Sequence, residues 1–187
     1  MQHNLQAQAK LGIENYNSVS RSEPYLWIPI ISRTGANGLH TEMRYNYEER
    51  KTGSVYIGRK FGRDSTFSYA FTPMLGWVFG QYNGGSLALN MDLGYKRAYI
   101  SVQSQYSLSS EGSAGNFFYG WGEVGYEATG WLYAGVSCQL TKPYKEKTET
   151  EYGMLVGFNI KKMSIPVYVF SPFNDKINFL IGINLEL

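Results

Sequence analysis

The sequence predicts an all-β chain: an antiparallel up-and-down transmembrane β-barrel of about twelve strands, with ten or eight as alternatives. Three observations predict it. Segments with a two-residue hydrophobic period recur along the chain and run to its last residue. The connections between them alternate between tight and long. The face opposite the apolar one is mild, being built from Ser, Thr, Gly, Asn, Gln and Tyr with scattered charges.

Composition agrees with each of these. At 187 residues the chain has room for one domain, 1–187. Sixteen Tyr, 10 Phe and 4 Trp make it 16% aromatic, alongside 21 Gly and only 6 Pro, which is strand-forming and turn-forming composition. Mean hydropathy is −0.30 although 43% of residues are hydrophobic. No stretch approaches the roughly 20 apolar residues of a membrane-spanning helix, so a membrane would have to be crossed by strands. The formal charge of +2 comes without any long Lys/Arg run, and the densest basic stretch, Lys142 to Lys147, reads as an exposed loop. Nucleic acid is therefore not an expected partner. A single cysteine, Cys138, leaves no internal disulfide to form. It shares the apolar parity of Leu132, Ala134, Val136 and Leu140 and reads as a small hydrophobe. Met1-Gln-His-Asn4 has neither a basic n-region nor an apolar h-region, so the chain reads as a mature form whose signal peptide has been removed.

The strands follow in order. Leu5–Tyr16 sets Leu5, Ala7, Ala9, Leu11 and Ile13 against Gln6, Gln8, Lys10 and Glu14. Tyr25–Ile31 is apolar on both faces and carries Pro29, which suits an edge or a bulge. In Leu39–Tyr47, Met43, Tyr45 and Tyr47 oppose His40, Glu42, Arg44 and Glu48, while Ser54–Phe61 alternates until Arg59 breaks its phase. Thr66–Phe79 and Leu87–Tyr95 alternate cleanly, and Ala98–Leu108 has Tyr99, Ser101, Gln103, Gln105 and Ser107 on its polar side. The scheme repeats at Phe117–Glu127, Trp131–Leu140, Glu149–Ile160, Met163–Phe170 and Lys176–Leu187. The last of these puts Ile177, Phe179, Ile181, Ile183, Leu185 and Leu187 on one face, and closing the barrel pairs it with Leu5–Tyr16. A strand of about eleven residues tilted about 40° spans a hydrocarbon layer of an outer membrane.

Lys96-Arg97, Thr129-Gly130 and Lys161-Lys162 are tight turns; residues 81–85, 109–115 and 141–148 are longer and polar. Thr34–Gly38 and Gly62–Ser65 fall on the tight-turn rim, as do both termini when the strand number is even. Arg33, Arg63, Lys96, Arg97, Lys161 and Lys162 then form a basic ring suited to solvation and headgroup contact.

Size decides which face points inward. Leu, Ile and Phe cannot fill the interior of about twelve strands, whereas an eight-stranded soluble barrel puts them inside and leaves a cavity for one small ligand. The chain is 17% charged, against about 25–35% for a surface in bulk water. The apolar parity is therefore expected to face lipid. Tyr16, Tyr45, Tyr47, Trp77, Phe79, Tyr95 and Tyr126, at or near strand ends, are expected in the interface girdles. In these features the chain resembles the small outer-membrane β-barrel proteins of Gram-negative bacteria, over nearly its whole length and by architecture alone. Those proteins often end in Phe; this one ends in Leu187, with Phe179 deeper in the strand. The resemblance implies an outer-membrane location with lipid as partner.

The polar parity supplies the expected lumen lining. Its charged members are Lys10, Glu14, Glu42, Arg44, Glu48, Lys60, Asp92, Glu123, Glu149 and Glu151. Its aromatic members are Tyr99, Tyr119, Trp121, Trp131, Tyr133 and Tyr168. Such a lumen is either a narrow porin-like path for a small polar solute, reduced in conductance when Arg44 or Lys60 is neutralised, or a closed structural barrel serving another envelope protein. Catalysis is not expected: of the two histidines, His3 lies in the N-terminal tail and His40 reads as a polar lumen residue beside Glu42. No paired His, Cys pair or Asp-rich loop suggests a metal, and no cofactor is expected. Two alternatives stay open: a secreted soluble β-barrel binding a small hydrophobic ligand, and a lipid-modifying hydrolase of the outer membrane.

Overall fold

The structure, a computed structural model, describes residues 9–21, 23–173 and 177–187. It contains β1 (Lys10–Ser20), β2 (Leu26–Thr34), β3 (Leu39–Tyr45), β4 (Thr52–Arg59), β5 (Phe61–Arg63), β6 (Phe67–Gly80) and β7 (Gly84–Tyr95). These are followed by β8 (Ala98–Ser109), β9 (Phe117–Glu127), β10 (Leu132–Pro143), β11 (Glu149–Ile160), β12 (Met163–Phe170) and β13 (Asn178–Glu186). All neighbours pair antiparallel in one 13-stranded sheet, closed by β1 on β13 and by β4 on β6.

The closed sheet has twelve staves, because β4 and β5 are one stave: both pair with β6, in a single register running from Thr52↔Gly80 to Phe61↔Phe71. The break in the ladder, at Arg59 and Lys60, lies opposite Pro73 and Thr72, and the ring nitrogen of Pro73 has no proton to give the ladder. Arg59 keeps its phase in this stave. It belongs to the outward row with Val55, Ile57 and Phe61, and its guanidinium sits 5.6 Å above the Phe61 ring, where a long side chain can reach the barrel end. Pro29 acts in the same way as Pro73. The β2–β3 ladder stops at Ile30↔Arg44, one residue short of it, so Tyr25–Ile31 is neither an edge nor a bulge but part of a full stave.

β1 runs from Lys10 to Ser20, beyond the expected end at Tyr16, because β13 pairs with it from Gly12↔Glu186 to Ser20↔Asn178. The expected first residues of that strand, 5–8, lie outside the described residues. Connections at one end of the barrel span 35–38, 64–66, 96–97 and 161–162; those at the other include 46–51, 110–116 and 144–148. Lys96 (φ 55°) and Lys161 (φ 56°) take the left-handed conformation that two-residue hairpins of right-twisted strands require. The basic ring of Arg33, Arg63, Lys96, Arg97, Lys161 and Lys162 lies on this short-turn rim.

The outer surface is apolar around the barrel: Leu75, Trp77, Leu87, Val136, Met154 and Ile181 are all exposed. In water this surface would be unfavourable by about 25 cal/mol per Å², and a closed barrel, which has no open sheet edge, is the β form a bilayer accepts. The inward face of the described strands holds the buried polar groups, among them Thr52, Ser54, Thr72, Ser86, Ser107 and Ser137.

Candidate functional site

The barrel interior has two parts. One side is filled by a polar plug. The other is an elongated cavity of about 1250 Å³ whose lining reaches both rims, with Lys10, Lys161 and Lys162 at the short-turn end, Lys60 three residues inside that end, and Ser18, Leu26, Asn46 and Asn178 at the other.

Arg44 organises the plug. It points inward from β3, is 4% exposed, and donates to Glu42 through Nε and to Gln105 Oε1 on β8 at 2.8 Å. Its guanidinium lies between two rings, 4.4 Å from the centroid of Tyr47 and 4.3 Å from that of Tyr56. Glu48, 3.8 Å from Arg44 Nη1, accepts from Tyr56 at 2.8 Å and from Ser54 at 2.9 Å. Glu42 also contacts His40 Nε2 at 3.2 Å, and His40 Nδ1 lies 2.9 Å from Thr34 Oγ1. A buried guanidinium costs several kcal/mol to desolvate unless carboxylates and aromatic faces surround it, and here both do.

The 46–51 connection contributes to this plug by folding inward. Tyr47 donates to Gln103 on β8 at 2.7 Å and meets Tyr119 on β9 edge-on at 5.6 Å, so a loop residue reaches across the barrel and narrows it. Tyr16 and Tyr47 were expected in the interface girdles, and both are inside instead. Tyr16 shares the parity of Lys10 and Glu14, which places it in the lumen; Tyr47 lies past the end of β3, where strand parity no longer applies.

The cavity wall is aromatic and acidic. Trp121 packs edge-on against Tyr168 at 4.9 Å and Phe170 at 5.5 Å, with Tyr16 at 6.4 Å. Tyr168 donates to Glu123 at 2.7 Å, Tyr16 to Glu14 at 3.1 Å, and Ser101 to Asp92 at 2.8 Å. Tyr99 and Tyr133 meet edge-on at 6.2 Å, and Tyr119 donates to Gln139 at 3.2 Å. Each inward ring at Tyr16, Tyr56, Tyr99, Tyr133 and Phe170 lies over the glycine directly paired with it: Gly182, Gly76, Gly125, Gly157 and Gly153. The glycines leave room for rings to lie against the wall, so the aromatics fill the lumen only partly.

The expected lining residues divide as follows. Lys10, Glu14, Glu42, Lys60, Asp92, Tyr99, Tyr119, Trp121, Glu123, Tyr133 and Tyr168 line the cavity, and Arg44 and Glu48 lie in the plug. Lys10 pairs with Glu186 at 2.5 Å at the mouth. Glu149 is exposed at the start of β11, on the long-loop rim, and Glu151 is half-buried two residues further in, opposite Gln139. Trp131 is a correction. It precedes β10 in the 128–131 turn, and its ring stacks on the outward Phe158 (6.2 Å, 10°), so it is a lipid-side aromatic at the rim. Counting parity back from Tyr133 fails there because the backbone has left the extended conformation. Sequence reasoning also passed over Gln103 and Gln105 as lining residues, although both stood on the polar parity of their strand.

No protein-family model matches the sequence, and no curated protein matches it. Solved structures do. The KdgM porin aligns at 13% identity over 93% of this chain and 98% of its own, with a TM-score of 0.67. The NanC porin aligns at 12% identity over 95% and 100%, with a TM-score of 0.64. The Acinetobacter baumannii outer membrane protein Omp33 aligns at 9% identity over 97% and 99%, with a TM-score of 0.52. At these identities the likeness establishes the fold: this chain is built as the small outer-membrane β-barrels are.

Proposed function

We propose that this protein is a porin-type channel of the bacterial outer membrane that passes small polar solutes and carries out no chemistry of its own. The observation that carries this reading is the cavity of about 1250 Å³, polar in part and lined from rim to rim, running beside a plug that occupies only one side of the barrel. A structural barrel has no use for an open path; a solute channel needs one, narrow enough to be selective. The apolar exterior supports bilayer residence and weighs against a secreted barrel that holds its ligand inside.

The fold likeness extends to a KdgM porin solved in complex with disordered oligogalacturonate, which supports passage of polar solutes as the general task of such barrels. A hydrolase is the weaker reading. Thr34, His40 and Glu42 do form a hydroxyl–imidazole–carboxylate row, but Arg44 occupies the carboxylate and Thr34 is not among the residues lining the cavity. The test is single-channel recording of the refolded protein in planar bilayers. Steady unit conductance is expected, and a correctly folded barrel that remains silent would overturn the reading.

A further inference from the structure

Charge is unevenly distributed along the path. Among the described residues, the interior between the rims holds six carboxylates, Glu14, Glu42, Glu48, Asp92, Glu123 and Glu151, and two cations, Arg44 and Lys60. Arg44 is spent on Glu42 and Glu48. Glu14, Asp92 and Glu123 are held by hydroxyls, from Tyr16, Ser101 and Tyr168, and none is within ion-pair distance of a Lys or Arg. They come from β1, β7 and β9, so they are spread around the wall. Each lies three or four residues inside the short-turn end of its strand, about 10–13 Å along it. Together they form a belt at one depth, which Lys60 shares, three residues inside the end of the β4–β5 stave at Arg63, so that the belt carries three carboxylates and one ammonium.

A second observation, independent of charge, points to the same kind of solute. Tyr16 has one hydroxyl proton and gives it to Glu14, so Asn184 must present its amide nitrogen to Tyr16, which it does at 3.1 Å. Asn184 Oδ1 is then a buried acceptor with no donor. Asn90, two residues from Asp92 on the same face, likewise has a buried Oδ1 without a donor. Both residues line the cavity. The belt thus combines carboxylates, surplus acceptor oxygens and the ring faces of Trp121 and Tyr168. All three favour a positively charged hydrogen-bond donor, and none favours an anion.

We infer that the channel selects cations, and that its solutes are small cations including organic ammonium compounds. The inference rests on the channel reading above and adds the sign of the solute. The lysines at the short-turn mouth oppose it only weakly. Lys10, Lys161 and Lys162 lie at the open rim, Lys10 is neutralised by Glu186, and salt screens exposed charge beyond about 8–10 Å; Lys60, at belt depth, offsets one of the three carboxylates there. The belt lies deeper, where the low-dielectric wall focuses its field, and rings of Asp/Glu set the selectivity of cation pores.

The experiment is a reversal-potential measurement on the refolded barrel in a KCl gradient, followed by replacement of K⁺ with choline. The expected result is a reversal potential of the sign set by K⁺, and a choline current that persists. Glu14→Gln, Asp92→Asn and Glu123→Gln should each lower the K⁺/Cl⁻ permeability ratio, by up to about thirtyfold, because the interaction of unit charges about 8 Å apart at an effective dielectric of about 40 is about fivefold for each ion and acts on K⁺ and Cl⁻ in opposite senses. Conductance with a reversal potential of the sign set by Cl⁻, or with no preference, would overturn the cation assignment and leave the channel standing. Cation preference with no choline current would remove the organic ammonium class. A silent barrel would overturn the channel and this inference with it. The wild-type sign decides the matter even where a variant fails to fold.

Discussion

The ring of Tyr133 occupies the space that a Cβ on Gly157 would need, and the two residues are direct partners across the β10–β11 ladder. The same relationship joins Tyr16 to Gly182, Tyr56 to Gly76, Tyr99 to Gly125 and Phe170 to Gly153. Glycine in a strand is unfavourable on its own account, for it has no side chain to pack and more backbone entropy to lose. Here the ring covers the exposed backbone and is itself held against the wall. The barrel can therefore carry many inward aromatics and still keep a lumen.

Gly157→Ala should accordingly destabilise the barrel. The added methyl group would displace Tyr133, whose hydroxyl is 2.9 Å from Ser164, and overpacking of this kind costs about 1–3 kcal/mol. Gly122 provides the control: it lies on the outward face, with its nearest neighbour for an added Cβ at 4.0 Å, so Gly122→Ala should stay within about 0.5 kcal/mol. Denaturant unfolding of the two variants in detergent, read by intrinsic fluorescence, checks the difference. Equal midpoints would show that the ring is not held by its glycine.

Arg44→Met should raise conductance and lower stability together. Arg44 spans the interior from β3 to Gln105 on β8, so shortening the side chain's polar reach opens the plugged side. It also leaves Glu42 and Glu48 without their cation, and breaking a buried pair costs about 3–5 kcal/mol. The combined variant Glu42→Gln, Arg44→Met, Glu48→Gln should recover most of the stability while keeping the higher conductance. A fall in conductance on neutralising Arg44, which its charge alone suggests, would mean that the residue lines the path and does not block it.

What the sequence made legible follows from where strand periodicity holds. Phe67, Tyr69, Phe71, Leu75, Trp77 and Phe79 are all exposed on the outer face of β6, as their parity requires, and Ser101, Gln103 and Gln105 of β8 point inward. The alternation of turn lengths likewise placed Lys96-Arg97 and Lys161-Lys162 on one rim. Periodicity fails at the ends of strands, where Trp131 turns outward to Phe158 and Tyr47 turns inward to Tyr119. It is also silent on contacts across the lumen. No local pattern links Arg44 to Gln105, sixty-one residues apart, because the distance between their staves depends on closure of the whole sheet. Pro29 misled for a related reason. Pro29 and Pro73 each interrupt one ladder while the stave continues, which a closed barrel tolerates because the other neighbour still pairs.

Tyr47→Ala isolates the contribution of the 46–51 connection to the constriction. The residue lies outside the ladder, so its loss should cost the ring contact with Tyr119, about 0.5–1.5 kcal/mol, the hydrogen bond to Gln103, about 0.5–1.5 kcal/mol, and the contact of its ring with the Arg44 guanidinium, about 0.5–2 kcal/mol. Unit conductance should rise with a smaller fall in unfolding midpoint than in Arg44→Met, because no buried carboxylate loses its cation. Unchanged conductance would show that the path runs clear of this loop.

Leu89 and Asn90 test the assignment of the two faces at the middle of β7. They are adjacent in sequence, yet Leu89 is exposed on the outer surface and Asn90 lines the cavity. An arginine at Leu89 would have to sit at the depth of the hydrocarbon centre, where it costs about 2–4 kcal/mol in a barrel of this type. An arginine at Asn90 enters a polar lumen beside Asp92 and should cost well under half of that. Refolding into lipid vesicles, with the folded fraction read by the heat-dependent gel shift, should show Leu89→Arg strongly impaired and Asn90→Arg close to the parent. Asn90→Arg should also lower the K⁺/Cl⁻ permeability ratio by placing a positive charge next to the carboxylate belt. Equal impairment of both variants would mean that the apolar row does not meet lipid at this depth, since only contact with hydrocarbon separates the two positions so sharply.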